Sequence, residues 1–185
     1  MDLNRIELEY FKAKTTPSDI NEHIEVLYAY ARKCESVTEL GVRSVVATWA
    51  FLKGAKEYIG YDMFKHPNMD VIPEVHDNAK IIIADVLDVD IEPTDFLFID
   101  TFHTASQLEK ELERHANKVN KYLGFHDTTT FWEKGEQPYK GMTGKGVDCG
   151  RGLKYALEPF LKANPQWIIA YKTDRNNGLT ILEKK

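Results

Sequence analysis

Five short apolar runs, each closing on acidic or otherwise polar residues, constrain this chain more than any other feature. Val37-Thr38-Glu39-Leu40 leads into Gly41-Val42-Arg43-Ser44, and Glu57 to Met63 carries Asp62 near its end. Lys80 to Ala84 closes on Asp85, Asp95 to Ile99 on Asp100, and Tyr122 to Phe125 on His126-Asp127. Runs this short and this continuously apolar read as parallel strands covered on both faces.

The stretches between them read mostly as helices. Val45 to Leu52 is too apolar for a solvated helix and is expected to be buried. Pro67 and Pro73 bracket a connection with room for a short helix from Pro73 to Asn78. Thr104 to Asn120 is a helix whose Thr104 and Gln107 are spaced for a capping box, with Leu108, Leu112, Ala116 and Val119 along one face. Leu153, Ala156, Leu157, Phe160 and Leu161 mark a last helix, stopped near Asn164-Pro165. Trp167 to Tyr171 and Leu179 to Leu182 are two further strands, and Asn176-Asn177-Gly178 between them favours positive φ and an antiparallel hairpin.

At the N-terminal end, Asn4 to Ala13 reads as a helix with Ile6 and Tyr10 on one face and Phe11 beside them. Thr16-Pro17-Ser18-Asp19 has the form of a helix start, with Thr16 as N-cap. Ile20, Ile24, Leu27, Ala31 and Cys34 follow at helical spacing. The expected architecture is α/β: a doubly wound, Rossmann-like, seven-stranded and mostly parallel sheet with a C-terminal antiparallel hairpin and helices on both faces. Residues 1–185 are expected to form one domain, with a helical segment over 1–36 and a glycine- and lysine-rich active-site loop over 128–149.

Composition narrows the partners. A net charge of −5 argues against a nucleic-acid surface, although Lys134, Lys140, Lys145 and Arg151 fall in one region. No apolar stretch is long enough to cross a membrane. Cys34 and Cys149 make neither a disulfide framework nor a metal knuckle, and Met1-Asp2-Leu3-Asn4-Arg5 lacks the features of a secretory signal. A cytoplasmic setting is the expectation, with room left for a homo-oligomer.

In an open parallel sheet, ligands bind beyond the carboxyl ends of the strands, near the point where strand order reverses. Gly41 opens a turn that lets a ligand approach backbone N–H groups closely. Asp62 stands where a carboxylate could accept from both hydroxyls of a ribose, and Asp85 where one could accept from the amine of a base. Asp100, His126 and Asp127 form an oxygen-rich set suited to Mg²⁺ or another divalent ion. Without metal, Asp100 and Asp127 would repel, leaving acid–base work as a second reading. His103, three residues past Asp100, is placed to take a proton from a substrate. His23, His66, His76 and His115 read as surface or packing residues.

With these residues assembled, the chain from Val37 onward resembles the class I S-adenosylmethionine-dependent methyltransferases. Glu39-Leu40-Gly41 resembles their acid-x-glycine motif, and Asp62, Asp85 and the closing hairpin match in order. Phe98-Ile99-Asp100-Thr101-Phe102-His103 and Phe125-His126-Asp127-Thr128 are similar to the small-molecule and sugar O-methyltransferases that include the cephalosporin-hydroxylase-like proteins. The resemblance implies a donor site at Glu39, Gly41, Arg43, Ser44, Asp62, Met63, Asp85, Val86 and Asp100. It implies catalysis by His103 and Asp100, and a divalent ion on Asp100 and Asp127 with His126 as third ligand. The acceptor would be a hydroxyl of a small molecule or glycan. Arg43 and Val45 stand where further glycines are usual in that family. This predicts a wider turn, or an Arg43 side chain directed away from the cofactor or at its carboxylate. Two other readings stay open: a dehydrogenase-like dinucleotide binder, whose G-x-G-x-x-G turn is missing here, and a non-catalytic module that binds S-adenosylmethionine or a nucleoside.

Overall fold

The computed structural model describes residues 1–138 and 150–185. Seven strands form one sheet: β1 Ser36–Leu40, β2 Glu57–Asp62, β3 Ala79–Ile83, β4 Thr94–Ile99, β5 Val119–His126, β6 Trp167–Thr173 and β7 Leu179–Lys184. Their order is β3-β2-β1-β4-β5-β7-β6. The first five are parallel, and β7 runs antiparallel between β5 and β6. Chain order reverses between β1 and β4, so the crevice of the sheet opens beside Leu40 and Ile99, which are paired in register. The expected fold class is the observed one.

Helices α1 Leu3–Thr15, α2 Ile24–Ala31, α3 Thr48–Gly54 and α4 Ile72–Val75 cover one face, around Ile24, Leu27, Phe51, Tyr58 and Phe96. Helices α5 Ala105–His115 and α6 Lys154–Ala163 cover the other, around Leu97, Leu108, Leu123, Phe125 and Leu157. In α3 every residue from Thr48 to Leu52 is buried, because the helix lies between α1, α2 and the sheet. Among the described residues no helix is long and apolar enough to cross a membrane.

Several local expectations are corrected. Thr16 is the C-cap of α1 and not an N-cap, and α2 begins only at Ile24 after a 3-10 turn over Asn21–His23. Asp19 is drawn away to the Arg43 guanidinium, and Asn21 Oδ1 accepts from the Ser18 N–H at 3.0 Å, so the capping signal is overridden by tertiary contacts. Phe11 is 60% exposed while Ile6 and Tyr10 are buried. The buried helix starts at Thr48, three residues later than the apolar run, because Val42 to Ala47 forms the turn. The connection before β3 holds a 3-10 turn over Pro67–Val71 and then α4, displaced toward the N-terminus from the expected 73–78. Helix α5 stops at His115, and Val119 starts β5. Finally, β3 is not covered on both faces: it is an edge strand, no helix joins it to β4, and Ile82 and Ile83 are exposed. Tyr139, Lys140, Lys145 and Cys149 lie outside the described residues.

Candidate functional site

The turn after β1 is held from beneath. Glu39 is 1% exposed, and its Oε2 accepts from the Tyr58 hydroxyl and, at 2.7 Å, from Thr48 Oγ1. Gly60 pairs with Glu39 across β1 and β2, and a Cβ there would lie 2.4 Å from the Tyr58 oxygen. That missing side chain is what lets Tyr58 reach over its own strand to Glu39. Burial pushes the Glu39 carboxyl up to about 8, against the two hydroxyls that favour its charge.

Above this support the backbone is left-handed at alternate residues: Gly41 at φ 90°, Arg43 at φ 46° and Val45 at φ 69°. Two of the three carry side chains, and Val45 is β-branched, where such a conformation is a genuine outlier. The turn therefore keeps a glycine-like path without the glycines. A Cβ on Gly41 would sit 2.0 Å from the Asp100 carbonyl oxygen, so the turn lies directly against the end of β4. The Arg43 guanidinium pairs with Asp19, within electrostatic reach of Asp100 and Asp127, while its N–H donates to Asp62 Oδ2 at 2.8 Å. Asp62 Oδ1 accepts from Phe64 N–H at 2.8 Å, and Asp85 Oδ1 from Leu87 N–H at 2.8 Å. Met63 is exposed beside Asp62, Val86 is buried beside Asp85, and Ser44 is half-buried in the turn, its carbonyl accepting from the Asn68 amide.

At the ends of β4 and β5 the acids and imidazoles converge. His103 Nε2 is 3.1 Å from both Asp100 Oδ1 and Asp127 Oδ2. His103 Nδ1 lies 2.9 Å from Glu136 Oε2, and its ring stacks on Phe131 with centroids 4.9 Å apart. The backbones of His103 and Glu136 are also bonded, with Glu136 N–H donating to the His103 carbonyl at 2.9 Å. His126 is 1% exposed, and its Nδ1 is 3.3 Å from Asp100 Oδ1 and 3.6 Å from Asp127 Oδ2. Burial lowers the affinity of His103 for its proton, but hydrogen bonds to Asp100 and Glu136 and the Asp127 charge outweigh it, raising the imidazole to about 10. Burial would raise Asp100, yet the neighbouring imidazoles hold it well below the usual carboxylate range. Asp127 goes up, through burial and the Asp100 charge, despite both imidazoles.

This donor set fits a divalent cation. Ligand atoms of Asp100, His103 and Asp127 all lie within 4.8 Å of one another. Two buried atoms at the same place, His126 Nδ1 and Asp127 Oδ1, have no hydrogen-bond partner. A carboxylate oxygen left bare in a buried site is costly unless a cation, a proton or a hydrogen-bond donor completes it.

The structure thus gathers Asp100, His103, His126 and Asp127 in one cluster and places Glu39, Gly41, Arg43, Ser44, Asp62 and Asp85 along the adjoining strand ends. Sequence reasoning missed Glu136, which carries no local signal and becomes relevant only through the fold. Of the histidines read as surface or packing residues, His23 packs: it is buried, its ring meets His126 edge-on at 5.5 Å, and it bonds to the same Asn176 carbonyl. A cavity of about 420 Å³ between α5, α6 and β6, lined by Leu112, Phe160 and Trp167 among others, holds none of these groups.

The order β3-β2-β1-β4-β5-β7-β6 with its reversed β7 is the seven-stranded methyltransferase fold. The chain matches an S-adenosylhomocysteine-bound methyltransferase from Podospora anserina at 15% identity and TM-score 0.61, covering 97% of this chain and 87% of that one. It matches a Staphylococcus aureus protein provisionally assigned as a caffeoyl-CoA O-methyltransferase at 15% identity and TM-score 0.59, over the whole of both chains. A third match is the 1,6-didemethyltoxoflavin-N1-methyltransferase of Burkholderia thailandensis, at 12% identity, TM-score 0.63, and 99% and 87% coverage. No protein-family model and no curated protein matches the sequence. At these identities the likeness is one of fold.

Proposed function

We propose that this chain is an S-adenosylmethionine-dependent methyltransferase acting on a hydroxyl of a small molecule or glycan, assisted by a divalent ion. The observation that carries the reading is the meeting of Asp100, His103, His126 and Asp127 beside the Gly41 turn, at the crevice of a methyltransferase sheet.

S-adenosylmethionine supplies a methyl group on a sulfonium, so the protein's task is chiefly to align donor and acceptor. The turn from Gly41 to Ser44 offers backbone to the methionine end, with Glu39 shaping it from below. Asp62, with Met63, would take the ribose, and Asp85, with Val86, the adenine. Asp100, Asp127 and His126 would hold the ion, which lowers the pKa of an acceptor hydroxyl. His103 Nε2 would take the acceptor's hydroxyl proton as the methyl group is transferred, once an ion on Asp100 and Asp127 offsets the carboxylate charges that otherwise keep the imidazole protonated. Glu136 on Nδ1 and Phe131 against the ring hold that imidazole in place. Phe131 and Trp132, among the described residues 128–138, would cover the acceptor and exclude water. Calorimetry with S-adenosylhomocysteine tests the whole reading: binding at micromolar Kd is expected, and its absence would remove it.

A second reading, a module that binds the nucleoside without turnover, is favoured by one feature. Asp62 Oδ2 already accepts from Arg43 N–H, and two side chains crowd the left-handed turn. Transfer of a labelled methyl group to any hydroxyl acceptor would eliminate it.

A further inference from the structure

We infer that the site is built for a first-row transition-metal dication bound through His126 Nδ1 together with Asp100 and Asp127, and not for Mg²⁺ held by oxygen alone. This preference rests on the divalent-ion reading above.

The argument starts at Asn176. Its carbonyl oxygen receives two imidazoles, His23 Nε2 at 3.0 Å and His126 Nε2 at 3.3 Å. A carbonyl can only accept, so each Nε2 carries a hydrogen. The carbonyl is also fixed in direction. Asn176 has φ 44° in a run of left-handed residues with Asn177 and Gly178. Its side-chain amide donates to the Ser18 carbonyl at 2.9 Å and its Oδ1 accepts from Glu22 N–H at 3.1 Å. Three distant parts of the chain therefore set one tautomer.

In the neutral His126 ring that tautomer leaves the lone pair on Nδ1. This nitrogen is buried, faces Asp100 Oδ1 and Asp127 Oδ2, and makes no hydrogen bond. Asp127 Oδ1 is bare in the same place. A lone pair turned toward two carboxylates calls for a cation between them, a proton when no metal is bound or a metal ion that replaces it. An outer nitrogen tied to a carbonyl while the inner one points at acids is the arrangement that orients a metal-binding imidazole. Mg²⁺ prefers oxygen and its own waters, whereas Mn²⁺, Co²⁺ and Zn²⁺ accept imidazole readily. His103 differs: its Nδ1 is held by the Glu136 carboxylate and its ring is stacked on Phe131, a placement that suits a group exchanging a proton at Nε2.

The test uses the full chain stripped of metal by chelator. Calorimetry with Mn²⁺ and with Mg²⁺ is expected to show Mn²⁺ bound at least about tenfold more tightly. Pulsed electron paramagnetic resonance of the Mn²⁺ protein is expected to show coupling to a directly bound nitrogen. That coupling should vanish in His126→Gln, with Mn²⁺ affinity down at least about tenfold, and persist in His103→Gln. A wild-type spectrum without nitrogen coupling, or equal affinity for both ions, overturns the inference while leaving an oxygen-held ion in place. This readout does not depend on any variant folding. Coupling that survives His126→Gln and disappears in His103→Gln also overturns it. Failure of wild type to bind either ion would instead overturn the divalent-ion reading itself.

Discussion

The backbone N–H of Arg43 donates to Asp62 Oδ2 at 2.8 Å, joining the turn after β1 to the acid that closes β2. The bond is made by a residue in the left-handed region, at φ 46°, whose own side chain pairs with Asp19. A glycine there would make the same bond without a Cβ to accommodate. Left-handed backbone costs a non-glycine residue roughly 1–2 kcal/mol, and the exposed Arg43–Asp19 pair returns about 0–1 kcal/mol. Arg43→Gly is therefore expected to leave stability unchanged or raise it by up to about 1 kcal/mol, as read from urea unfolding. A clear loss of stability would show that the Asp19 pair, and not the turn, dominates at this position.

Gly41 stands on the other side of that comparison. It combines φ 90° with a backbone oxygen 2.0 Å from where a Cβ would go. No rotamer relieves such a contact, so β4 or the turn must move. Gly41→Ala is expected to destabilise by about 2 kcal/mol or more and to abolish S-adenosylhomocysteine binding in calorimetry. Wild-type stability in this variant would contradict the close packing of the turn on Asp100.

These two positions show how far the sequence could be read. Gly41 was legible because an apolar run, an acid and a glycine are all local signals. The left-handed geometry at Arg43 and Val45 was not, since propensity assigns such backbone to glycine and only packing against Asp62 and the core imposes it otherwise. The parallel strands and the hairpin followed from apolar runs and from Asn176-Asn177-Gly178. The start of α2 did not: Thr16 to Asp19 carries a capping pattern, but Asp19 serves Arg43 and the Ser18 carbonyl serves Asn176. Val119 fitted the helical periodicity of α5 equally well as the first residue of β5. At the site, strand-end acids could be found one by one, whereas Glu136 and His23 enter only because distant segments fold over Asp100 and His126.

Glu39 gives stability a pH dependence. Burial raises its carboxyl from an ordinary value of 4.5 to about 8. Between those values the folded chain keeps a proton that the unfolded chain has lost, so this contribution is complete below the lower value and declines as pH rises toward the upper one. Glu39→Gln removes it. Relative to the variant, wild type should lose stability from about pH 5 to 8, with a slope of at most about 1.4 kcal/mol per pH unit. Parallel stability curves would mean that Glu39 is ionised in the fold.

Glu136 should separate positioning from binding. It touches His103 at Nδ1 and through the backbone but lies behind the ring from Asp100 and Asp127. Glu136→Gln is expected to lower kcat by about 10- to 100-fold with little change in KM, and to shift the pH profile of kcat. A change in KM alone would assign Glu136 to the acceptor site.

Asp127 allows the ion to be tested without breaking the fold. It sits at φ 57°, a conformation that asparagine tolerates as well as aspartate. Burial and the Asp100 charge raise its carboxyl, so its surroundings favour an uncharged group when no metal is bound. Asp127→Asn is therefore expected to be as stable as wild type, or slightly more so, in chelator. With a divalent ion the order should reverse, because wild type gains RT ln(1 + [L]/Kd) and the variant binds about 10- to 100-fold more weakly. Thermal melts of both proteins, with and without Mn²⁺, read this crossing directly. If the two melt in the same order under both conditions, Asp127 is not a ligand, and the bare Oδ1 at the end of β5 must be completed by the acceptor.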